Sequence, residues 1–388
     1  MGHLLPVPMA PNPLQTLHDA GQSIWLDYID RAMLHRGELE QRIAEDALTG
    51  MTSNPTIFEK ALAEGTAYDA QIAAAPAGAT AWELFELVET TDVRDACDRF
   101  RAVYDLTRGA DGLVSIEVSP GAAHDAEATV AEARRLWAMV GRPNVMIKVP
   151  GTPAGATATR ALIAEGLNVN VTLLFAIEAY DTVIEAYLSG LEDRVRAGRP
   201  VDRIASVASF FVSRVDTEID RRLEALRAHA PRGAGHGLET LHGRAAIANA
   251  KLAYALFQER FNGPRWAALA KQGAHVQRPL WASTSTKNPS YRDVIYVEAL
   301  IAPDTVNTMP PATLVAFRDH GVVRRTADAD LGPERACLAA LEALGIPMRG
   351  VTDKLLEEGL ASFAKSFDTL IARLDDKARR LGRAMAAR

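Results

Sequence analysis

Lys148 is the residue whose type and position most directly indicate covalent chemistry. It lies in a short run in which Val145, Ile147 and Val149 share one face. Because side chains alternate along a β-strand, Met146 and Lys148 share the opposite face. Lysine is rarely buried unless it is paired or chemically used, and an uncharged amine can attack a ketone carbon. On this strand alone, a lysine whose ammonium reaches solvent is an equally good interpretation.

Other short runs present polar side chains in the same way. Glu117 shares a face with Ser115 in one run, and Asp27 shares a face with Trp25 in another. A third run alternates polar with aliphatic residues, and its polar members are Asn168, Asn170 and Thr172. Any one of these residues could be a structural hydrogen-bonding group. Two carboxylates and a lysine together indicate a catalytic site.

A Schiff base needs this set of groups. One carboxylate can move the proton of the substrate hydroxyl that becomes an aldehyde. The second carboxylate, with the hydroxyl of Thr172, can hold the water that shuttles protons during imine formation. Amides such as Asn54 and Asn170 can bind substrate hydroxyls. The protonated imine takes up the carbanion electrons, so this chemistry requires no metal or organic cofactor.

Alternation of short strands with helices predicts a closed (β/α)8 TIM barrel, an α/β fold, with additional helices in its N- and C-terminal parts. In such a barrel the catalytic groups lie at the carboxyl ends of the strands. The competing open doubly wound sheet would carry a glycine-rich phosphate fingerprint, which is missing. Strands are predicted at residues 23–28, 50–53, 112–118, 144–149, 167–172, 204–209, 279–283 and 294–300. Helices are predicted at residues 31–47, 82–108, 125–140, 154–165 and 177–196.

The chain is predicted to form one barrel domain over residues 16–388, after a disordered or loosely packed lead-in over residues 1–15. C-terminal helices, from about 330 to 388, are predicted to pack on the barrel. One of them has an apolar face that includes Phe363 and Phe367. We expect this face to pack against the outside of the barrel. The alternative is that the two phenylalanines help to cover the active site.

Composition excludes several other classes of protein. A net charge of -6 without a long basic run argues against nucleic-acid binding. No stretch is apolar enough to predict a membrane span or a signal peptide. With only two cysteines, a reducing cytoplasm is the expected setting. Cys97 and Cys337 are predicted to be small apolar residues of helices rather than parts of a disulfide framework or metal site. His229, His236 and His242, around a glycine-rich segment at 233–237, lack zinc-ligand spacing and predict a surface loop.

A phosphate anchor is predicted beside the site. Ser209 ends the sixth predicted strand, and Arg214 lies in the first turns of the helix that follows. Arg214 is as well placed to pair with Asp216 or Glu218 on its own helix. The hydroxyl-rich loop Ser283 to Lys287, after the seventh strand, is a second candidate.

At these residues the sequence resembles the transaldolase family, specifically its longer bacterial type, which also occurs fused to a sugar-phosphate isomerase. The resemblance covers nearly the whole chain, from about Leu17 to the C-terminal helices. Residues 50–58 (GMTSNPTIF) resemble the first signature of the family. Residues 144–155 and 166–173 resemble the segment of the Schiff-base lysine and the strand after it. Agreement at both stretches is far more specific than a single glycine motif.

The resemblance implies a role for each candidate residue. Lys148 would form the Schiff base, Asp27 would be the general acid/base, and Glu117 with Thr172 would hold the catalytic water. Substrate would be bound by Thr52, Asn54, Asn170, Ser209, Arg214, Ser283 and Lys287. The implied reaction moves dihydroxyacetone from sedoheptulose 7-phosphate to glyceraldehyde 3-phosphate, giving erythrose 4-phosphate and fructose 6-phosphate. This reaction belongs to the non-oxidative pentose phosphate pathway. The expected partners are the sugar-phosphate substrates, and the protein is expected to be a monomer or a homodimer.

One departure and two rival functions follow from the same comparison. Shorter relatives carry an arginine after the seventh strand, where this chain has residues 284–287, and Lys287 is expected to substitute as a point charge. The first rival is a related Schiff-base aldolase, like fructose 6-phosphate aldolase, which releases the ketol unit. Glu117 and Phe211 disfavour it, because the related lyases resemble this pattern less at those positions. The second rival is a non-catalytic barrel that binds sugar phosphates.

Overall fold

Eight parallel strands pair in chain order, and the eighth pairs with the first to close a barrel. The predicted (β/α)8 fold is therefore confirmed. The computed structural model describes residues 12–63, 65–229 and 237–382. Most of the predicted lead-in (residues 1–11) and residues 230–236, including His236, lie outside the described residues. The strands are β1 (Gln22–Asp27), β2 (Leu48–Thr52), β3 (Leu113–Glu117), β4 (Val145–Pro150), β5 (Val169–Leu174), β6 (Ser206–Phe211), β7 (Gln277–Ala282) and β8 (Thr305–Met309).

Helices separate the strands and cover the outside of the barrel. They are α1 (Pro13–Asp19), α2 (Arg31–His35), α3 (Glu38–Glu45), α4 (Pro55–Ala63), α5 (Asp69–Ala74), α6 (Ala81–Leu106), α7 (Ala126–Val140), α8 (Pro153–Glu165), α9 (Ile177–Arg196), α10 (Ser213–His229), α11 (Ala245–Arg260), α12 (Pro264–Ala270), α13 (Ile295–Glu298), α14 (Pro311–His320), α15 (Gly332–Ala343) and α16 (Met348–Arg380). The predicted helix at 31–47 is two helices, α2 and α3, separated by Gly37 with a φ of 75°.

The prediction of the eighth strand at 294–300 was wrong. Residues 295–298 form the short helix α13, and β8 begins at Thr305. The run around Tyr296 is rich in β-branched and aromatic side chains, as strands are, but here it forms a buried turn and a short helix. The sequence did not predict β8 because the strand is short and mostly polar. Three of its five residues are Thr305, Asn307 and Thr308, and only two are apolar.

Trp25 fills the barrel interior below the carboxyl ends of the strands. It packs with apolar side chains of five other strands, Leu113, Met146, Val207, Leu280 and Val306. A Cβ at Gly50 would lie 2.5 Å from the indole, so glycine is required opposite this tryptophan. The indole Nε1 donates to Asp111 Oδ1 at 2.9 Å, and Asp111 pairs with Ser23 and Arg278 at the other end of the barrel. This layer gives the site above it a rigid floor.

Helix α16 crosses the carboxyl end of the barrel. It contacts α4, α6 and α10 and the end of β5. Two ion pairs fix it at opposite ends, Lys354 to Glu218 at 2.7 Å and Arg373 to Glu59 at 3.2 Å. The helix therefore packs around the mouth of the barrel, where it can contribute to a site.

Both cysteines are buried and free, Cys97 in α6 and Cys337 in α15, as predicted. Within the described ranges, no helix is both long enough and apolar enough to cross a membrane. The same residues contain no cluster of three or more histidine, cysteine or acidic side chains able to hold a metal ion.

A buried carboxyl on α10 leads to a prediction about pH and stability. Burial raises the pKa of Asp216 to about 7, although Ala246 N and the Tyr296 hydroxyl donate to it at 2.8 and 2.9 Å. The folded state therefore favours the protonated form more than the unfolded chain does. Stability contributed by this proton is complete below the unfolded pKa of 3.8 and is lost as pH rises through about 7.

In Asp216→Asn, which does not titrate, we expect stability relative to the parent protein to improve between pH 5 and pH 8. The gain over this interval is about 3 kcal/mol, because about two pH units lie between pH 5 and the folded pKa of about 7 and each unit corresponds to about 1.4 kcal/mol. Denaturant titrations of both proteins at the two pH values measure it. A difference in stability that does not change with pH would contradict the assignment.

Candidate active site

A cavity of about 500 Å³ opens at the carboxyl ends of the strands. The predicted catalytic residues Lys148, Asp27, Glu117 and Thr172 all line it. So do these predicted substrate-binding residues: Thr52, Asn54, Ser209, Arg214, Ser283 and Lys287. Asn170 alone among the predicted site residues is not on the cavity wall. The inward and outward alternation inferred for β3 and β4 thus brings the polar set together.

Lys148 is paired with a carboxylate rather than extended to solvent. Glu117 and Lys148 are neighbours in the register of β3 and β4, and Lys148 Nζ lies 3.0 Å from Glu117 Oε2. The amine also donates to the carbonyl oxygen of Ser53 at 3.3 Å. Only 9% of the Lys148 side chain is exposed. The amine therefore has a fixed position inside the cavity, which the solvent-facing interpretation did not predict.

Burial raises the proton affinity of the carboxylates of Glu117 and Asp27. It raises the pKa of Glu117, and the charge of Lys148 and its hydrogen bond oppose that shift. Burial likewise raises the pKa of Asp27, opposed first by the charge of Lys148 and then by a hydrogen bond from Thr52. A carboxylate with a raised pKa accepts a proton from an ammonium at lower cost. Glu117 and Asp27 are therefore both suited to accept protons from groups inside the cavity.

A chain of hydroxyls holds Asp27 from the far side. Thr52 Oγ1 donates to Asp27 Oδ1 at 2.8 Å. Thr52 has one hydroxyl proton, so the 2.7 Å contact between Thr52 and Thr308 requires Thr308 to donate to Thr52. Sequence reasoning missed Thr308 because it lies on β8, the misplaced strand. It could have been found only from the barrel register, which pairs β8 with β1.

Asn170 lies under the cavity, fully buried, between two serines. Its Nδ2 donates to Ser115 Oγ at 3.0 Å, and its Oδ1 accepts from Ser209 Oγ at 2.7 Å. In this arrangement the amide positions Ser209, and Ser209 keeps its lone pairs for a ligand donor. Direct binding of substrate by Asn170 stays a prediction.

Asn54 lies at the start of α4 and uses one side-chain atom for the fold. Its Oδ1 accepts from Ile57 N at 3.2 Å. The amide Nδ2 is then the atom left to donate to a ligand hydroxyl. Ser53, beside it, supplies the carbonyl that contacts Lys148, a role that its side-chain type gave no reason to predict.

One end of the cavity is cationic. Arg214 lies over the ring of Phe211, with 5.3 Å from its guanidinium carbon to the ring centre. Among the described residues it forms no ion pair with Asp216 or Glu218, because Glu218 pairs instead with Arg221, Arg222 and Lys354. Arg214 lines the cavity, and its binding of a ligand there stays a prediction.

The loop after β7 completes this end. Ser283, Ser285 and Lys287 line the cavity, whereas Thr284 turns inward to Asn307 and Thr286 to the backbone of Arg292 and Asp293. Ser283 has a left-handed φ of 56°, which lets its hydroxyl meet that of Ser213 at 2.9 Å. Partial burial and then the charge of Arg214 lower the pKa of Lys287. Two cations held close together favour an anionic ligand between them.

Helices α4 and α16 form the outer wall of the cavity. Thr56 and Lys60 of α4 line the cavity, as do Phe363 and Ser366 of α16. Thr56 Oγ1 donates to Ser366 Oγ at 3.0 Å. The two phenylalanines considered from sequence have different roles. Phe363 covers the cavity, whereas Phe367 packs against Trp82 and Phe85.

Fold and site together define an α/β-barrel protein with a lysine–carboxylate centre and a cationic end able to hold an anionic substrate. A sequence profile described as "Transaldolase/Fructose-6-phosphate aldolase" matches residues 24–374. The chain is 50% identical to a transaldolase of Thermobifida fusca over 367 residues, which are 94% of this chain and 97% of that protein. It is 48% identical to a transaldolase of Frankia alni over 374 residues, 96% and 98% of the two chains.

A third relative, named "Transaldolase 2", comes from a Nostoc species and is 45% identical over 381 residues, 96% of this chain and 99% of that one. Because the similarity spans nearly the full length of each relative, it includes the barrel, the cavity and α16. The chain belongs to the transaldolase/fructose-6-phosphate aldolase family.

Proposed function

We propose that the protein is a transaldolase that transfers dihydroxyacetone from sedoheptulose 7-phosphate to glyceraldehyde 3-phosphate, giving erythrose 4-phosphate and fructose 6-phosphate. The observation that carries the proposal is the Lys148 amine, buried 3.0 Å from Glu117 in a cavity that it shares with Asp27 and a cationic end. The relatives named transaldolase support the same reaction. A role in the pentose phosphate pathway, in the cytoplasm, is part of this proposal.

The first step forms the imine. Lys148 passes a proton to Glu117, and the free amine attacks C2 of the ketose phosphate. The carbinolamine then loses its hydroxyl as water, and the proton for that departure comes from Glu117. Thr172, on the cavity wall, is the hydroxyl that we propose to hold this water with Glu117.

The second step breaks the C3–C4 bond. Asp27 takes the proton of the C4 hydroxyl, and the electron pair of the breaking bond moves into the protonated imine as an enamine. The aldehyde phosphate leaves, while the three-carbon unit stays on Lys148. The acceptor aldehyde then enters, the enamine carbon attacks it, and Asp27 returns the proton to the new alkoxide. Water finally hydrolyses the imine and releases the product.

Retention of the three-carbon unit separates transfer from lysis. A lyase must hydrolyse the dihydroxyacetone imine, whereas a transferase keeps it until an acceptor arrives. The test incubates the protein with fructose 6-phosphate alone, then with erythrose 4-phosphate added. We expect sedoheptulose 7-phosphate to form when erythrose 4-phosphate is present, with little free dihydroxyacetone in its absence. Rapid release of dihydroxyacetone without an acceptor would identify the protein as the related aldolase instead.

A further prediction concerns the phosphate group. In Arg214→Gln we expect KM for glyceraldehyde 3-phosphate to rise about 10- to 100-fold, since a hydrogen bond to a charged group contributes about 1.5–3 kcal/mol. KM for unphosphorylated glyceraldehyde as acceptor should change little. Arg227→Gln, at an exposed arginine of the same helix that faces Glu224 at 3.7 Å, is the matched control. Equal effects of Arg214→Gln on both acceptors would show that Arg214 does not bind the phosphate.

A further inference from the structure

The cationic end of the cavity is built from two separate segments. Arg214 belongs to α10, whereas Ser285 and Lys287 belong to the segment after β7. Residues 283–294 of that segment form neither helix nor strand. An anion held between the two segments is bound tightly only if their separation is fixed. Something must therefore fasten an irregular segment to α10.

Backbone and hydroxyl contacts fasten the near end of the segment. Ser213 N donates to Ser283 O at 3.1 Å, and the two serine hydroxyls meet at 2.9 Å. Beyond this point, Thr284 Oγ1 donates to Asn307 Oδ1 of β8 at 3.0 Å, and Thr286 Oγ1 bonds to carbonyl oxygens of the same segment.

At the far end, Arg292 bonds to Glu298 and to the carbonyl oxygen of His320, contacts that hold the segment to α13 and α14. The position of Lys287 relative to α10 depends on what joins this end to α10.

Two tyrosines fasten the far end to α10. Tyr291 donates its hydroxyl proton to Asp220 Oδ2 at 2.6 Å, and Tyr296 donates to Asp216 Oδ2 at 2.9 Å. Asp216 and Asp220 are four residues apart and so lie on one face of the helix that carries Arg214.

The Tyr291 bond is held in a rigid setting. The other oxygen of Asp220 accepts from Gly243 N at 3.1 Å. The ring of Tyr291 lies against Gly243, where an added Cβ would be 2.8 Å from it. The aspartate and the ring are therefore both fixed, and the hydroxyl of Tyr291 joins α10 to the part of the segment next to Lys287.

We propose that Tyr291 and Asp220 form a positioning pair that sets the distance from Ser285 and Lys287 to Arg214, and so the affinity for the phosphate of the substrate. Tyr291 lies close to Lys287 along the chain, whereas Tyr296 is buried in α13. The inference rests on the proposed function, because it assigns the cationic end to a sugar phosphate.

The test compares Tyr291→Phe with the parent enzyme on two acceptors. Removing the hydroxyl keeps the ring against Gly243 but breaks the link to α10. We expect KM for glyceraldehyde 3-phosphate to rise about five- to tenfold, the size of one lost hydrogen bond, with kcat nearly unchanged. KM for unphosphorylated glyceraldehyde should not change. Tyr254→Phe, which removes a 3.2 Å bond to Pro303 O, is the control and should alter neither value.

Variants of Asp220 test the same pair from the side of α10. Asp220→Ala should reproduce the effect of Tyr291→Phe, and the double variant should show no further loss, since both remove one link. In Asp220→Asn the amide oxygen can accept from Gly243 N while the amide nitrogen donates to the Tyr291 oxygen, so the link is kept and most of the affinity should be recovered. A lower melting temperature with unchanged KM values would reduce the pair to a structural role and overturn the proposal.

Arg214→Gln distinguishes the two possible failures. If it raises KM for the phosphorylated acceptor while Tyr291→Phe does not, the anion site stands and the positioning pair is wrong. If neither variant discriminates between the acceptors, phosphate does not bind at this end, and the proposed function loses its phosphate site together with this inference.

Discussion

In Lys148→Met, turnover should fall by at least about a thousandfold while the barrel remains folded. Removing a covalent nucleophile abolishes the pathway that it opens, so the loss exceeds that of any positioning group. Methionine matches the length of the lysine stem and suits a buried site. Glu117 loses the cation that opposes the rise of its pKa, so its neutral form is favoured further and the cost of an uncompensated buried charge is reduced.

Steady-state transfer assays and thermal unfolding of the same preparation measure both halves of this prediction. Lys60→Met is the matched control, because Lys60 lines the same cavity from α4 but has no place in the proposed chemistry. It should keep turnover within a few-fold of the parent. Activity of Lys148→Met close to that of the control would contradict a nucleophilic role for Lys148.

Replacement of Asp27 should separate the chemistry from binding. In Asp27→Asn we expect kcat to fall about 10²- to 10⁴-fold, the usual contribution of positioned proton transfer, with KM changed little. Asparagine keeps an acceptor for the 2.8 Å bond from Thr52, so the geometry of the wall is preserved. Imine formation at Lys148 does not require Asp27, so the substrate should still be trapped on the lysine.

The matched control for this variant is Asp30→Asn, three residues further along, which caps α2 outside the cavity by accepting from Ala32 N at 2.9 Å. It should lower stability slightly and leave kcat near the parent value. An unchanged kcat in Asp27→Asn would contradict its role as general acid/base. Loss of imine formation in that variant would show that Asp27 acts earlier than we propose.

Most of the site could be predicted from the alternation of apolar and polar side chains along the strands. Aliphatic residues at every second position of β3 and β4 forced Glu117 and Lys148 to the same side, and the register then placed them as neighbours. Period-two alternation is a local property, so it can be read without knowing the tertiary structure. The same reasoning correctly assigned Trp25 and Asp27 to the interior.

The prediction of the eighth strand failed because it depended on contacts that are not local. The run at 294–300 has the composition of a strand, but its burial is set by contacts with distant segments, and a polar strand at 305–309 closes the barrel. Thr308 was lost with it. Strand propensity is weak evidence where packing against other elements decides the outcome.

The sequence also could not predict how segments that are far apart in the chain are placed relative to one another. The composition of the loop after β7 marked it as polar, but only the structure separates Ser285 and Lys287, on the cavity, from Thr284 and Thr286, which face away. Similarly, periodicity gave the apolar face of α16 but not its path across the mouth of the barrel. That path depends on contacts with α4, α6 and α10, which are far apart in the chain.

The central claim is that a single buried amine forms a covalent bond to the ketose. Borohydride reduction in the presence of fructose 6-phosphate, followed by proteolysis and mass mapping, tests it most directly. We predict one modified peptide, carrying a reduced three-carbon unit on Lys148, and no such peptide without sugar or in Lys148→Met. Modification of Lys60 or Lys287 instead, or of no lysine at all, would contradict the account.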